Sequence, residues 1–193
     1  MELIDRIKKL VELFRVVNDD VIGNVAKQIF NLNWKDGLSS RNQAHKFLDE
    51  LALTGQIMKG KGFYAVNGYR GEYKEHDRAV TKYIAQLVLA KLPISIYREV
   101  SFPVGLRSDA VGLIGKEGKA ICFILEVANT EEPEYLNKKT VIWKNWTGAT
   151  DALSELFKTP IPYFTLVVSG RSHPDMMDFN DFMKEVESGP NFG

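Results

Sequence analysis

Asp109 and Glu126 are the residues of this chain best placed for chemistry. Asp109 lies at the start of Ser108-Asp109-Ala110-Val111-Gly112-Leu113-Ile114, and Glu126 near the end of the apolar run from Lys119 to Val127. Both stretches read as strands, and Gly115-Lys116-Glu117-Gly118 between them reads as a hairpin. An ionised carboxylate at the tip of a buried strand is costly unless it is paired or binds a metal. Pairing through that hairpin sets Asp109 opposite a position near 124, with Glu126 a residue or two along. Two carboxylates on neighbouring strand ends can share one Mg²⁺ or Mn²⁺, hard cations suited to oxygen ligands. Such a cation activates water and stabilises charge on a phosphate during hydrolysis. Glu99, in Arg98-Glu99-Val100, would supply a third carboxylate from the preceding strand. The plain alternative makes Asp109 a strand cap, Glu99 a surface residue, and Glu126 the partner of Lys138, Lys139 or Arg107 in a structural ion pair.

Composition narrows the setting. The chain has 193 residues, 45% of them hydrophobic, which suits one large domain or two small ones. Lys+Arg 25 balance Asp+Glu 25, so any nucleic-acid surface must come from how charge is distributed. The single cysteine, Cys122, lies in an apolar run; it excludes an intrachain disulfide and a cysteine-rich zinc site and fits a reducing cytoplasm. MELIDRIKKL is amphipathic and lacks a signal-peptide core, and no apolar stretch approaches the roughly 18 residues that span a bilayer. A soluble cytoplasmic protein with no membrane partner is expected. The chain carries no glycine-rich phosphate loop, serine-histidine triad context or zinc-ligand spacing.

The elements ahead of the carboxylates read as a separate module. Leu3, Ile4, Ile7, Leu10, Val11 and Phe14 repeat at helical spacing, as do Val21, Ile22, Val25, Ala26, Ile29 and Phe30 after a cap at Asn18-Asp19-Asp20. A third helix starts near Ser39 or Ser40, buries Ala44, Phe47, Leu48 and Leu51, and ends at Gly55. QIMKGKGFYAV then reads as a hairpin around Lys59-Gly60-Lys61-Gly62. Three helices and a hairpin are the order of a winged helix-turn-helix, expected over residues 1–68. Its third helix would enter the major groove of double-stranded DNA. Arg41, Asn42, Gln43, His45 and Lys46 would face the bases, and Lys59 and Lys61 the phosphates. Asp49 and Glu50 weaken that basic patch. The bland reading is a solvated helix face and a glycine turn.

A helix is expected next over 73–92, then strands at about 94–102, 108–114 and 119–127. Helices from Pro133 to about Trp146 and over 151–157, a strand at 163–169 and a helix over 175–187 complete the chain. The fold class is α+β or α/β, with an α-β-β-β-α-β core over residues 72–193 and a domain boundary near 67–71.

Asp at a strand start followed by Glu at the end of the next strand, in that element order, resembles the PD-(D/E)XK nuclease superfamily. The resemblance implies Asp109 and Glu126 as metal ligands and a catalytic lysine two residues after the glutamate. Ala128 stands there instead, and Lys138 or Lys139 in the next helix could offer a displaced amine. Across nearly the whole chain the sequence resembles the replication-relaxation family of plasmids and mobile elements. The similar stretches are Glu75-His76-Asp77 with Val80-Thr81, Arg107-Ser108-Asp109-Ala110-Val111, and Leu125-Glu126-Val127 leading through Thr130-Glu131 to Leu136, Lys139 and Trp143. That likeness implies a role in plasmid or phage DNA replication or mobilisation, by nicking or relaxing DNA.

Three functions are therefore expected in turn. One is a Mg²⁺- or Mn²⁺-dependent relaxase or endonuclease using Asp109, Glu126 and Lys138 or Lys139. Another is a non-catalytic replication initiator or transcription regulator whose degenerate nuclease fold serves as a scaffold or homodimer contact, favoured by Ala128. The third is a protein-interaction module without a DNA role.

Overall fold

The computed structural model describes residues 2–34, 38–71, 74–90, 94–116, 119–128 and 133–188. Among them are seven helices and two sheets, a mixed α+β architecture. The chain divides into two compact units, Met1–Lys91 and Leu92–Gly193.

The first unit runs α1 (Leu3–Phe14), β1 (Val16–Val17), α2 (Asp19–Ile29), α3 (Leu38–Leu53), β2 (Met58–Gly60), β3 (Phe63–Ala65) and α4 (Lys74–Leu89). Its core is drawn from the helical repeats: Ile7, Val11 and Phe14 of α1, Ile22 and Val25 of α2, Ala44, Leu48 and Leu51 of α3. The side chain of Asn18 caps α2, its Oδ1 accepting from Val21 N at 2.9 Å. Gly55, at φ +70°, lets the chain leave α3 through the left-handed region. Two residues, Lys61 and Gly62, join β2 to β3, with Gly62 at φ +74°. The two-residue strand β1, which the sequence pattern did not announce, pairs with β3 and makes the small sheet β1-β3-β2.

A boundary near 67–71 would assign α4 to the second domain, yet α4 falls in the first compact unit. Val80, Ile84 and Leu87 are buried there. Thr81 Oγ1 donates to the carbonyls of Phe14 and Val16, at 2.8 and 3.0 Å, where α1 gives way to β1.

The second unit contains β4 (Ile94–Ser101), β5 (Arg107–Lys116), β6 (Lys119–Val127), α5 (Pro133–Asn145), α6 (Ala149–Phe157), β7 (Thr165–Ser169), β8 (Met177–Asp178) and α7 (Phe179–Ser188). The sheet order is β4-β5-β6-β7-β8, antiparallel through β6 and parallel beyond it. Residues 121–128 are all buried, as a strand covered on both faces should be. On one face Val111, Cys122, Ile124 and Val168 share a core with Leu136 and Trp143 of α5 and Leu153 of α6. On the other, Phe123 meets Phe182 of α7, with ring centroids 5.0 Å apart. Burial pushes the Cys122 thiol up to about 12, which keeps it protonated and unreactive.

The hairpin between β5 and β6 is centred one residue later than its glycines suggest. Lys116 pairs with Lys119, so Gly115 belongs to the strand, opposite Ala120, and residues 117–118 lie outside the described set. Gly112 is also a strand residue, and a Cβ there would stand 2.2 Å from the Phe123 ring. Expected boundaries elsewhere hold to within a few residues; the short β8 replaces the first turn of the helix expected from 175.

At Gly23 α2 lies close to the start of α3: a Cβ there would stand 2.9 Å from the backbone of Ser40. Gly23→Ala should therefore push the two helices apart and lower the unfolding free energy by about 1–3 kcal/mol. Urea denaturation checks this, and an unshifted midpoint would contradict the close approach.

Candidate functional site

The register of β5 on β6 brings the two sequence-selected carboxylates together. Ala110 pairs with Leu125, so one further step along the ladder sets Asp109 opposite Glu126. Directly opposed residues of an antiparallel pair share a face. Asp109 Oδ2 accepts a hydrogen bond from the backbone N of Val127 at 2.7 Å, which fixes its carboxylate to the end of β6.

Glu126 is fully buried, and its neighbours explain how it stays there. Leu136, Lys139, Thr140 and Trp143 form the buried stripe of α5. Three of them are what a core stripe needs; the fourth is a lysine, only 7% exposed. Its Nζ donates to Glu126 Oε2 at 2.6 Å and lies 4.8 Å from the centroid of the Tyr135 ring. The other carboxylate oxygen, Glu126 Oε1, is buried and makes no hydrogen bond. Ser108 Oγ is buried without a partner as well; it is the weakest influence on the carboxyl and closes no hydrogen bond of ordinary geometry with it.

Burial is the largest influence on Glu126 and raises its pKa, and the negative charge of Asp109 pushes the same way. The charge and hydrogen bond of Lys139 oppose both, and the net direction is upward. Two carboxylates and one ammonium thus share the end of the β5–β6 ladder, with one carboxylate oxygen uncommitted. That donor set suits a hard divalent cation bound by two carboxylates and completed by water and substrate oxygens. Among the described residues no group of three or more His, Cys, Asp or Glu side chains converges, so two protein carboxylates are the largest set offered.

The remaining sequence candidates divide between the two units. Lys138 is exposed, so α5 turns Lys139 and not Lys138 toward the sheet. The helical spacing of 136, 139, 140 and 143 held that distinction in the sequence. Glu99 occupies the register position opposite Asp109, between the pairs Arg98↔Ala110 and Val100↔Ser108. Its backbone sits at φ +51°, unusual for a non-glycine residue, and its carboxylate pairs with Arg107 at 2.6 Å. Ala128, where a nuclease lysine was expected, is buried in the α5-side core.

In the first unit Arg41, Asn42, His45 and Lys46 are exposed on α3, and Gln43 is half-buried. Lys59 and Lys61 are exposed on the hairpin. Acidic neighbours hold several of these cations. Arg41 Nε stands 4.0 Å from Asp19 and 3.8 Å from Asp20. His45 Nδ1 is 3.2 Å from Asp19 Oδ2, and its Nε2 is 3.2 Å from Asp49 Oδ2. Lys59 donates to Asp49 at 2.6 Å, as does the hydroxyl of Tyr64. The roles of Asp19 and Tyr64 had no signal in the sequence, because they arise where α2, α3 and the hairpin meet.

A carboxyl held above its ordinary value keeps a proton that the unfolded chain has released. Glu126 therefore withdraws stability as pH rises from its ordinary 4.5 toward about 8. In urea unfolding over this interval, Glu126→Gln should gain stability relative to the wild type as pH rises, and parallel curves would contradict the linkage. No protein-family model, no curated protein and no solved structure matches this chain.

Proposed function

We propose that the chain is a double-stranded-DNA-binding protein of plasmid or phage replication or mobilisation that nicks DNA with a divalent metal. In this reading residues 1–91 are a winged helix-turn-helix module and residues 92–193 a PD-(D/E)XK nuclease-like core. The order α1-β1-α2-α3-β2-β3, with β1 added to the hairpin, supports the first assignment. Three antiparallel strands, a helical crossover and a parallel strand support the second.

The observation that carries the catalytic half is the 2.6 Å contact between Lys139 and Glu126, with Asp109 next to it across the ladder. The lysine missing at Ala128 is supplied from α5. Asp109 and Glu126 would hold Mg²⁺ or Mn²⁺, which on binding lowers the pKa of a water and neutralises a phosphate oxygen. Lys139 would donate its ammonium hydrogens to the scissile phosphate or the attacking water once the metal takes its place at Glu126. Glu99, held by Arg107, would steady the neighbouring strand end instead of binding the metal. On α3, Asn42 and Gln43 would read base edges, with adenine the natural target of an amide.

A second reading rests on the burial of Glu126 and Lys139. A closed ion pair inside the α5–β6 contact also suits a core that has lost its chemistry, leaving a replication initiator or regulator that only binds DNA. Nicking of supercoiled plasmid separates the two. With Mg²⁺ present, Glu126→Gln and Lys139→Met should each lower the nicking rate about a hundredfold or more. Full-rate nicking by Glu126→Gln would sink the catalytic reading. Duplex binding without cleavage across several divalent metals would establish the second.

A further inference from the structure

The cations of α3 and the hairpin are arranged unevenly. Arg41, His45 and Asp49 lie one helical turn apart on a single stripe of α3; Arg41 stands 4.0 and 3.8 Å from Asp19 and Asp20, and His45 lies within 3.2 Å of both Asp19 and Asp49. Asp49 is the hub. Its Oδ1 receives Lys59 Nζ and Tyr64 Oη, each at 2.6 Å, while Oδ2 faces His45 at 3.2 Å. Lys59 also lies 5.6 Å from the centroid of the Tyr64 ring. Lys61, two residues on and at the tip of the same hairpin, makes no ion pair among the described residues, and neither does Lys46. The hydrogen bonds from Lys59 and then Tyr64 hold the Asp49 carboxyl below the usual range, so it carries its charge at working pH.

We propose that Asp49 is a built-in substitute for a DNA phosphate: it occupies the Lys59 amine in the free protein, and a duplex must replace it to gain that contact. The proposal rests on the DNA-face reading of α3 and the hairpin. Its basis is chemistry the two anions share. A carboxylate and a phosphate both accept from an ammonium at short range, and one Nζ held at 2.6 Å by Asp49 cannot neutralise a phosphate equally well. Lys46 and Lys61 then make the immediate phosphate contacts, and Lys59 contributes only where binding to a preferred site draws the duplex in far enough to displace Asp49. Such a carboxylate suppresses indiscriminate binding more than it suppresses binding at a preferred site.

The test uses the full chain, a short fluorescent duplex of mixed sequence, and Asp49→Asn, whose amide oxygen can still accept from Tyr64. Affinity is measured against salt, and the amine reactivities of Lys59 and Lys61 are compared without DNA by mass spectrometry after partial acetylation. Asp49→Asn should tighten duplex binding about two- to fivefold, the range for loss of one exposed competing ion pair. It should also steepen the salt dependence by up to about 0.9, one further phosphate neutralised. Lys59→Gln should matter little in the wild type and cancel the gain in Asp49→Asn. Lys61→Gln should weaken both proteins alike. In the free wild type Lys59 should acetylate more slowly than Lys61, and Asp49→Asn should remove the difference.

Equal or weaker duplex binding by Asp49→Asn would overturn the proposal while leaving the DNA face standing. Equal acetylation of Lys59 and Lys61 in the wild type would overturn it independently of DNA. If neither protein binds the duplex at low salt, the DNA-face reading itself falls and takes the proposal with it.

Discussion

The contact on which the second unit turns is the hydrogen-bonded pair of Glu126 and Lys139, sealed between β6 and α5 at 2.6 Å. Removing two charges from water is expensive, and their attraction in a low-dielectric interior repays it only in part. Removing one partner of such a pair typically destabilises by about 3–5 kcal/mol, whereas replacing both with apolar side chains is often neutral. Stability alone is therefore a poor reason to keep a lysine in a stripe otherwise made of Leu136, Thr140 and Trp143. The pair fixes how far along the sheet α5 can slide and how it is rotated. It also sets an ammonium against Oε2 of Glu126 while Oε1 is left without a hydrogen-bond partner. Asp109, opposite in the ladder, adds a second carboxyl group, and its charge joins burial in raising the pKa of Glu126. Those are the terms under which a metal and a phosphate could enter.

The first unit handles charge differently. Its candidate binding face carries Arg41, His45, Lys46, Lys59 and Lys61 among Asp19, Asp20, Asp49 and Glu50, so local charge is nearly balanced, as it is for the whole chain. A strongly basic face would bind any duplex through counterion release. A balanced one must draw its affinity from fit and from base-edge contacts, which Asn42 and Gln43 can supply. The compact hairpin, with only Lys61 and Gly62 at its tip, offers few phosphate contacts. On the proposed DNA-binding reading, both features favour selective binding over tight indiscriminate binding.

Much of this was legible in the sequence because the signals were local. Helical repeats, the Asn18 cap, the glycine exit at Gly55 and the continuous apolar run of β6 each specify their element within a few residues. The carboxylate pair was legible too, since the expected and observed registers differ by two residues and so leave Asp109 and Glu126 on one face. What the sequence obscured was non-local. Glycines at 115 and 118 suggested a wider hairpin than the observed one, and the correct register moved Asp109 from near 124 to opposite Glu126. The short strand β1 exists only because β3 offers it a partner. The choice of Lys139 over Lys138 depends on the rotation of α5, readable from its apolar spacing but decided by packing. Asp19, Asp49 and Tyr64 converge from three elements, and no spacing along the chain announces that meeting.

Whether Asp109 and Glu126 hold a metal is best decided by calorimetric titration of the full chain with Mn²⁺, repeated on Asp109→Asn. The wild type should bind one ion per chain, and the variant should lose that heat while its thermal unfolding stays cooperative. Absence of Mn²⁺ binding by a folded wild type, or binding that survives the substitution unchanged, would contradict the two-carboxylate site.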